Sequence, residues 1–273
     1  EETREGGEVL LTVNELIKSM WYGPAPSVGE TQSIGASLTE EGKLISLIQL
    51  FKSGDFSLKH VFIHLMNSTE NEKLLNLCIH VFCSVCTHED LRKVENLNFL
   101  SRVSEDNAYV LASCARETLS PEVVPYLLAL LEEWDDTIVE EVMRDSLDHM
   151  MDYTENLDWN APVDEIGSYY MEWMNALSPT FYYYNGEPVF PGDLTKSLVQ
   201  RAFAMRGQNT PVKMESIPIL LSVWSGTKCP LQYKTVLDEE IFQQLTDYIG
   251  TLSERSWERG RKYFYGNSVE GAL

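Results

Sequence analysis

The sequence predicts an all-α protein in which a block of paired helices precedes an aromatic-rich, mainly helical C-terminal part. Three observations indicate this fold class. Apolar residues recur at helical spacing from Thr39 to about Tyr153, helix start signals precede several of these stretches, and the apolar pattern repeats weakly along the block. We expect an N-terminal segment and loop over residues 1–37, a helical block over 38–156, and a C-terminal part over 157–273 that either forms a subdomain or continues the same domain.

The N-terminal segment contains a short helix or strand around Val9–Met20, followed by a loop that Gly23 and the prolines at 24 and 26 punctuate. Its acidic start lacks the basic and apolar regions of a signal peptide, and no apolar run is long enough to span a bilayer. The chain does not begin with Met, so we expect further residues before Glu1. The five cysteines are odd in number and mostly lie in apolar stretches. We therefore expect reduced, buried thiols in a cytoplasmic protein.

The helices of the block are predicted from apolar residues three and four positions apart. The apolar sets are Leu44, Leu47, Ile48 and Phe51; Leu74, Leu77, Cys78, Val81, Phe82 and Val85; and Val124, Leu127, Leu128 and Leu131. Thr69 with Glu72, and Thr137 with Glu140, fit the capping box that satisfies free N–H groups at a helix start. Ser120-Pro121 fits an N-cap followed by a proline in the first turn.

The block also repeats at a fixed interval. Units begin near Asp55, His88 and Pro121, which are 33 residues apart, and each unit consists of a helix, a short break and a second helix. The residues that fall at equivalent places are Leu58, Leu91 and Val124, and then Val61, Val94 and Leu127. Helix pairs at such a period predict a HEAT-like α-solenoid, in which each pair buries its apolar face on the next. The alternative is an irregular helical bundle.

After Asn156 the composition changes to an aromatic-rich one. The clustered aromatic residues are Tyr169, Tyr170, Trp173, Phe181, Tyr182, Tyr183, Tyr184 and Phe190. Phe181–Tyr184 is predicted to form a short strand or one arm of a hairpin. Helices are expected over residues 193–206, 212–224 and 238–252. The aromatic cluster is interpreted either as core packing or as a set of interface anchors, in which Tyr and Trp are enriched.

Charge is the strongest global signal. The chain has 42 acidic and 21 basic side chains, so its formal net charge is -21. Such a surface repels nucleic acids and anionic membranes, whereas it attracts and steers a basic protein. The alternative is that the charge serves solubility alone.

Residues 132–165 hold thirteen of these carboxylates and one Lys or Arg, Arg144, which gives a local balance of -12. In a helix over Thr137–Asp152, four carboxylates fall within a sector of about 60°: Glu141, Asp145, Asp148 and Asp152. The apolar residues Val139, Val142, Met143, Leu147 and Met150 lie on the opposite side. The candidate partner-binding residues are Glu132, Glu133, Asp135, Asp136, Glu140, Glu141, Asp145, Asp148, Asp152, Asp158, Asp164 and Glu165.

This acidic column is unfavourable for the helix that carries it. Like charges at i,i+4 destabilise a helix by roughly 0.2–0.5 kcal/mol per pair, and anions near a helix C-terminus oppose the helix dipole. The pattern therefore favours a surface that binds a cationic protein over a solvated face without a partner. The segment lacks the Asp-x-Asp-x-Asp-Gly loop of a calcium site, so we expect no bound metal there.

Two other kinds of chemistry are considered. Cys83-x-x-Cys86, with His80 and His88 nearby, has the spacing of zinc ligands, but no second ligand pair follows and apolar residues surround it. We interpret these cysteines as buried core residues. None of the five histidines lies in a recognisable nucleophile motif, and phosphate-binding glycine loops are absent from the sequence. We therefore expect neither an enzyme nor a cofactor.

Short motifs near the start of the chain carry a resemblance to a known family. They are Trp21-Tyr22-Gly23, Ser33-Ile34-Gly35, Gly42-Lys43-Leu44, Gly54-Asp55-Phe56 and Glu70-Asn71-Glu72. Over about its first 150 residues the chain resembles the all-α, HEAT-like immunity proteins of bacterial polymorphic-toxin and contact-dependent inhibition systems. The resemblance implies a cytosolic antidote that binds one cognate toxin domain, often a basic nuclease, and blocks its active site. It transfers no specific binding residue.

The expected function is thus the binding and neutralisation of a basic toxin protein, with neither a nucleic acid nor a membrane as partner. The acidic column suits this role because a negative surface resembles a nucleic-acid backbone and speeds association with a basic protein. Two alternatives remain: a HEAT-like scaffold or adaptor that binds a basic peptide or protein, and a helical hydrolase or metal enzyme.

Overall fold

In the computed structural model, the described residues are 21–26, 39–208, 210–214 and 216–270. The element expected around Val9–Met20 and most of the loop that follows it lie outside the described residues, as does the motif at residues 33–35. The described chain is mainly helical, which agrees with the predicted all-α class, and it also contains two short β-hairpins. None of its helices combines the length and the apolar character needed to cross a bilayer.

Residues 39–176, all of which are described, form eight α-helices joined by turns and 3₁₀ segments. The helices are α1 (Glu40–Lys52), α2 (Lys59–Ser68), α3 (Glu72–Val85), α4 (His88–Arg92), α5 (Glu105–Cys114), α6 (Val124–Glu133), α7 (Ile138–Met151) and α8 (Val163–Ala176). The 3₁₀ segments are Val94–Arg102, Ala115–Thr118, Pro121–Val123 and Tyr153–Glu155.

These helices alternate between two layers. In one layer, α1, α3, α5 and α7 pack side by side in chain order, and they begin at residues 40, 72, 105 and 138, which are 32 or 33 residues apart. In the other layer, α2 packs against the 3₁₀ segment Val94–Arg102, and α6 packs against α8. The predicted equivalence of apolar positions is wrong in part. Leu91 and Val124 are buried, whereas Leu58 is 39% exposed and Val94 is 67% exposed.

Polar side chains link segments of this block that lie about 30 residues apart in the chain. Lys59 pairs with Asp90 at 3.0 Å, and Arg92 pairs with Glu122 at 2.7 Å. The side-chain amide of the buried Asn107 donates to a side-chain oxygen of another helix of the same layer at 2.7 Å. Because these bonds join residues 30 or 31 positions apart, they help to hold successive parts of the block together.

The predicted helix starts are confirmed in part. Asn71, not Thr69, caps α3, because its side-chain oxygen accepts the N–H groups of the two residues after Glu72. Thr137 caps α7 as predicted, but the Glu140 carboxylate accepts the N–H of residue 136 and does not complete the capping box. Ser120 is confirmed as the cap of the 3₁₀ turn Pro121–Val123.

The C-terminal part contains three further helices and both hairpins. The helices are α9 (Pro191–Met205), α10 (Ser216–Ser225) and α11 (Glu239–Ser253), and the strands are β1 (Tyr183–Tyr184), β2 (Glu187–Pro188), β3 (Tyr263–Phe264) and β4 (Asn267–Ser268). Within the arm predicted at Phe181–Tyr184, the strand covers Tyr183 and Tyr184. The helix expected from Val212 begins later, because Val212 exchanges backbone hydrogen bonds with residues 234 and 235.

The two hairpins are built alike. β1 and β2 are joined by Asn185 and Gly186, and β3 and β4 by Tyr265 and Gly266, and all four turn residues have positive φ, as in a two-residue type I′ turn. In each hairpin the first tyrosine of the strand accepts a backbone N–H from five residues earlier, at 2.7 Å and 2.9 Å. The second hairpin was not predicted.

Lys262, which directly precedes β3, fastens the second hairpin to the helical block. It is 1% exposed, and its Nζ donates to the carbonyl oxygens of Cys83 at 2.6 Å, Cys86 at 3.1 Å and Thr118 at 3.1 Å. These carbonyls lie at the ends of α3 and of a 3₁₀ segment, where backbone oxygens lack helical partners. Burial lowers the pKa of Lys262. The Tyr265 hydroxyl also donates to the Gly23 carbonyl at 2.5 Å, which ties segment 21–26 to the same hairpin.

Glu117 is a buried acid next to this junction. It is 7% exposed and lines a small cavity with Ser84 of α3 and apolar side chains of α10. Burial raises the pKa of Glu117 to about 7 from its ordinary 4.5. The ionised form is therefore disfavoured in the folded protein, and this acid opposes folding once it is charged.

Replacing Lys262 by Met should lower the free energy of unfolding by about 3 kcal/mol, because three buried carbonyls lose their donor. Lys228→Met, at an exposed position, is the matched control and should change the stability little. Urea unfolding monitored by circular dichroism measures both. Equal stability of the two variants would show that the Lys262 ammonium does not fasten the hairpin.

Glu117→Gln should remove a pH dependence of stability. The folded-state pKa of Glu117 exceeds its unfolded value, so its ionisation costs stability progressively as the pH rises from about 4.5 to about 7. The Gln variant should therefore gain about 3 kcal/mol over the natural protein between pH 4 and pH 8. Chemical unfolding across this range tests the prediction, and a difference that stays constant with pH would contradict it.

Candidate partner-binding face

The helix α7 separates apolar from acidic residues across its two sides. The buried apolar residues on its inward side are Val139, Met143, Leu147, Met150 and Met151, and the predicted Val142 is half-buried. On the outward side, Glu141 and Asp145 are exposed. The α7 helix packs against α5 and α6 through the buried side, which leaves the carboxylates facing solvent.

The structure places the twelve predicted site residues on consecutive elements from the end of α6 to the start of α8. Ten of them are exposed, and Glu140 and Asp148 are half-buried. We call this set the acidic face: Glu132, Glu133, Asp135, Asp136, Glu140, Glu141, Asp145, Asp148, Asp152, Asp158, Asp164 and Glu165. None of the twelve side chains is buried.

Arg144 is the one Lys or Arg within this part of the sequence, and its side chain points inward. It is 7% exposed. Its Nε donates to the Glu140 carboxylate at 2.7 Å, and another guanidinium nitrogen donates to the carbonyls of Trp159 at 3.1 Å and Ala161 at 3.0 Å. The hydrogen bond from Arg144 lowers the pKa of Glu140. Arg144 thus neutralises one carboxylate and holds the loop after α7.

Two members of the predicted column are engaged by the protein itself. Asp145 lies 3.8 Å from Arg116 and 3.5 Å from the His149 ring. Asp148 accepts the backbone N–H of Thr154 at 3.0 Å and its hydroxyl at 2.8 Å. Two of the four carboxylates in the column are therefore already engaged, so the column offers a partner fewer free charges than its spacing indicates. Among the described residues, Glu141 and Asp152 form no ion pair.

Asp152 occupies an unfavourable position at the end of α7. It has a φ of 54° and a ψ of 42°, the left-handed region that disfavours most side chains. Its carboxylate also stands beside the negative end of the helix dipole. Asn or Gly would suit this position better on structural grounds, so the carboxylate adds charge at a cost in stability.

A small carboxylate cluster lies at the start of α7. Single oxygens of Asp135, Asp136 and Glu140 lie within 4.8 Å of one another. Glu140 is already paired with the Arg144 guanidinium, which competes with a metal cation for the same carboxylate. We therefore assign no metal to this cluster.

The Cys83-x-x-Cys86 pair lies at the end of α3, and both thiols are buried. Burial raises the pKa of both, whereas zinc binds thiolates. The Lys262 Nζ stands 3.6 Å from the Cys86 sulfur. All five cysteines are free and buried, which agrees with their interpretation as core residues.

Two polar pairs were not predicted from the sequence, because their members lie 34 and 32 positions apart. The His80 Nδ1 is 2.8 Å from the Cys114 sulfur, and the His88 Nδ1 is 2.7 Å from the Ser120 hydroxyl. Burial lowers the pKa of each histidine to about 4 and raises that of the Cys114 thiol. A catalytic cysteine needs the opposite shift, toward a thiolate. His88 is also stacked on the Tyr182 ring, with centroids 4.1 Å apart. These contacts are typical of core packing.

The aromatic cluster also contributes mainly to the core. Tyr170, Tyr182 and Tyr183 are buried, and Trp173 and Tyr184 are half-buried. Within the cluster, Phe181 has the greatest exposure, at 37%. The geometry therefore favours the packing interpretation over the interpretation as interface anchors.

Comparison with known families adds an independent finding. The family described as Immunity protein 47 matches residues 16–269, which include the aromatic C-terminal part. No curated protein and no solved structure matches the chain. Because the match covers nearly the whole sequence, the chain belongs to the Immunity protein 47 family, and this membership implies an immunity protein that binds a cognate toxin.

Proposed function

We propose that this immunity protein binds its toxin through the acidic face, and that the toxin domain bound there is basic. The observation that supports this most directly is the local balance of -12 over residues 132–165, carried by side chains of which none is buried. The one Lys or Arg of the segment, Arg144, points inward and offsets a single carboxylate. A toxin domain with a basic surface would have the most favourable electrostatic interaction with such a face.

The charge of this face affects the rate of association with the toxin as well as the affinity of the complex. Complementary charge raises association rates by roughly 10–10³-fold, and the effect weakens as salt rises. An antidote benefits from fast capture, because free toxin acts until it is bound. The carboxylate of Asp152 fits this account, because it adds charge to the face although its backbone position is unfavourable.

We extend the proposal to the kind of toxin and the mode of inhibition. Clustered carboxylates present negative charge in the way that a phosphate backbone does, so a nuclease whose cleft binds phosphates is the toxin activity that fits best. Binding at that cleft would block the active site in a one-to-one complex. The immunity protein would then meet its toxin in the cytoplasm, as part of a polymorphic-toxin or contact-dependent inhibition system.

We also propose that the helical block is a HEAT-like solenoid. Helix starts 32 or 33 residues apart and two alternating layers support a solenoid of this kind. In such a fold, α7 and α8 form the last pair of the block, and the acidic face lies on that end.

If the acidic face steers the toxin electrostatically, removing its charge should slow association. Neutralising four exposed acidic-face carboxylates that form no ion pair should lower the association rate with the toxin about tenfold or more at low salt, and should flatten its salt dependence. The test set is Glu132→Gln, Glu133→Gln, Glu141→Gln and Asp152→Asn. The matched control removes the same charge elsewhere: Glu41→Gln, Glu70→Gln, Glu240→Gln and Glu254→Gln. Stopped-flow or surface plasmon resonance measures the rates.

Two outcomes would count against the proposal. If both quadruple variants slow association equally, net charge and not the acidic face accounts for steering. If neither variant changes the rate, the toxin does not approach through this face. Co-expression of the toxin with each variant shows separately whether growth protection is retained.

A further inference from the structure

A second candidate binding site lies in the C-terminal part. A cavity of about 390 Å³ opens between the start of α9 and the end of α11. The side chains that define it are Phe190, Pro191, Ile249, Leu252, Arg255 and Trp257. Its volume is at the lower end of the range of small-molecule sites, and its walls are mainly apolar.

The aromatic walls of this cavity are held in place by their neighbours. A side chain at Gly192 would collide with the Phe190 ring, so the glycine makes room for it. The Arg259 guanidinium lies 4.9 Å from the centre of the same ring and pairs with Asp193 at 2.7 Å.

The Trp257 wall is fixed in a similar way. Its indole N–H donates to the Leu252 carbonyl at 2.9 Å, and its ring meets Tyr263 edge to face at 4.8 Å. Together with Phe190, this gives a preformed cavity. A ligand that enters it does not have to order the walls, which reduces the entropic cost of binding.

Arg255 supplies a positive charge at the edge of the cavity. Its guanidinium lies 5.9 Å from the Trp257 ring centre and packs beside Gly266, where no side chain separates it from the backbone. Within the described chain, Arg255 forms no ion pair, whereas the nearby Arg259 and Arg261 each bind a carboxylate. In a chain with 42 acidic and 21 basic residues, a guanidinium without an acidic partner is available to an anion.

We propose that this cavity binds a small organic carboxylate with an aromatic or branched aliphatic body. The body packs between Phe190 and Trp257, and the carboxylate pairs with the Arg255 guanidinium, whose planar fork matches carboxylate geometry. The walls are built from Phe190 directly before α9, from α9 and α11, and from the segment after α11, none of which carries a member of the acidic face. The site is thus separate from the proposed toxin-binding surface and does not depend on it.

The test uses three probes of one shape: 3-phenylpropionate, its neutral amide 3-phenylpropanamide, and the cation 3-phenylpropylammonium. Two-dimensional ¹H–¹⁵N NMR follows the Trp257 indole N–H of the whole chain during titration. We expect a saturable shift with the carboxylate and about tenfold weaker binding of the amide, because the charge-assisted hydrogen bonds are lost. The ammonium probe should bind more weakly still.

Two variants complete the experiment. Arg255→Gln should weaken binding of 3-phenylpropionate about tenfold, and Thr195→Phe should abolish it by filling the cavity. Arg206→Gln is the matched control, since Arg206 is also exposed and stacks on an aromatic ring, at Phe242. The proposal is overturned if the carboxylate gives no saturable shift, if the amide binds equally well, or if Arg255→Gln and Arg206→Gln bind the probe alike.

Discussion

The acidic face depends on the inward orientation of Arg144. Its guanidinium binds one carboxylate and two carbonyls of the loop between α7 and α8. This clasp gives the Ala161 carbonyl a donor and adds a second donor to the Trp159 carbonyl, which also accepts from the Tyr153 hydroxyl. It also removes the single Lys or Arg of residues 132–165 from the surface. The same interaction therefore stabilises the fold and leaves the surrounding carboxylates largely uncompensated.

Arg144 belongs to a wider pattern in which basic side chains bind carbonyls inside the protein. The Lys262 ammonium binds three carbonyls at helix ends, Lys52 donates to the Pro24 carbonyl, and Arg102 donates to the carbonyls of Asn67 and Thr69. Each of these bonds joins segments distant in sequence. With half as many bases as acids, a chain that uses bases in this way presents a more negative surface than its composition alone would produce. The basic side chains that hold distant segments together are thus not available to offset carboxylates at the surface.

Whether a structural feature could be predicted from the sequence depends on how far apart in the chain its interacting residues lie. The helices of the block, the Ser120 cap and the buried cysteines follow from local periodicity, and the structure agrees with them. The sequence did not predict the Lys262 junction or the His80–Cys114 pair, because each joins residues between 34 and 179 positions apart. No local pattern encodes such contacts.

Other misses had local causes. Asn71 and Thr69 both suit a helix cap, and only the backbone path of α3 decides between them. The second hairpin had a visible signal in Tyr265-Gly266-Asn267, but its aromatic turn residue differs from the usual Asn-Gly or Asp-Gly pair. On the acidic face, the exposure of the carboxylates agrees with the helical periodicity. The ion pair of Asp145 with Arg116, however, comes from a 3₁₀ segment that the periodicity did not reveal.

The central claim is that the cognate toxin covers the acidic face. Hydrogen–deuterium exchange of the immunity protein, free and in complex with its toxin, tests this most directly. The account predicts slower exchange in the complex at the backbone that connects α7 to its neighbouring helices, at residues 134–137 and 152–162. Protection confined to α9, α10 and α11, with the backbone around α7 exchanging as in the free protein, would contradict it.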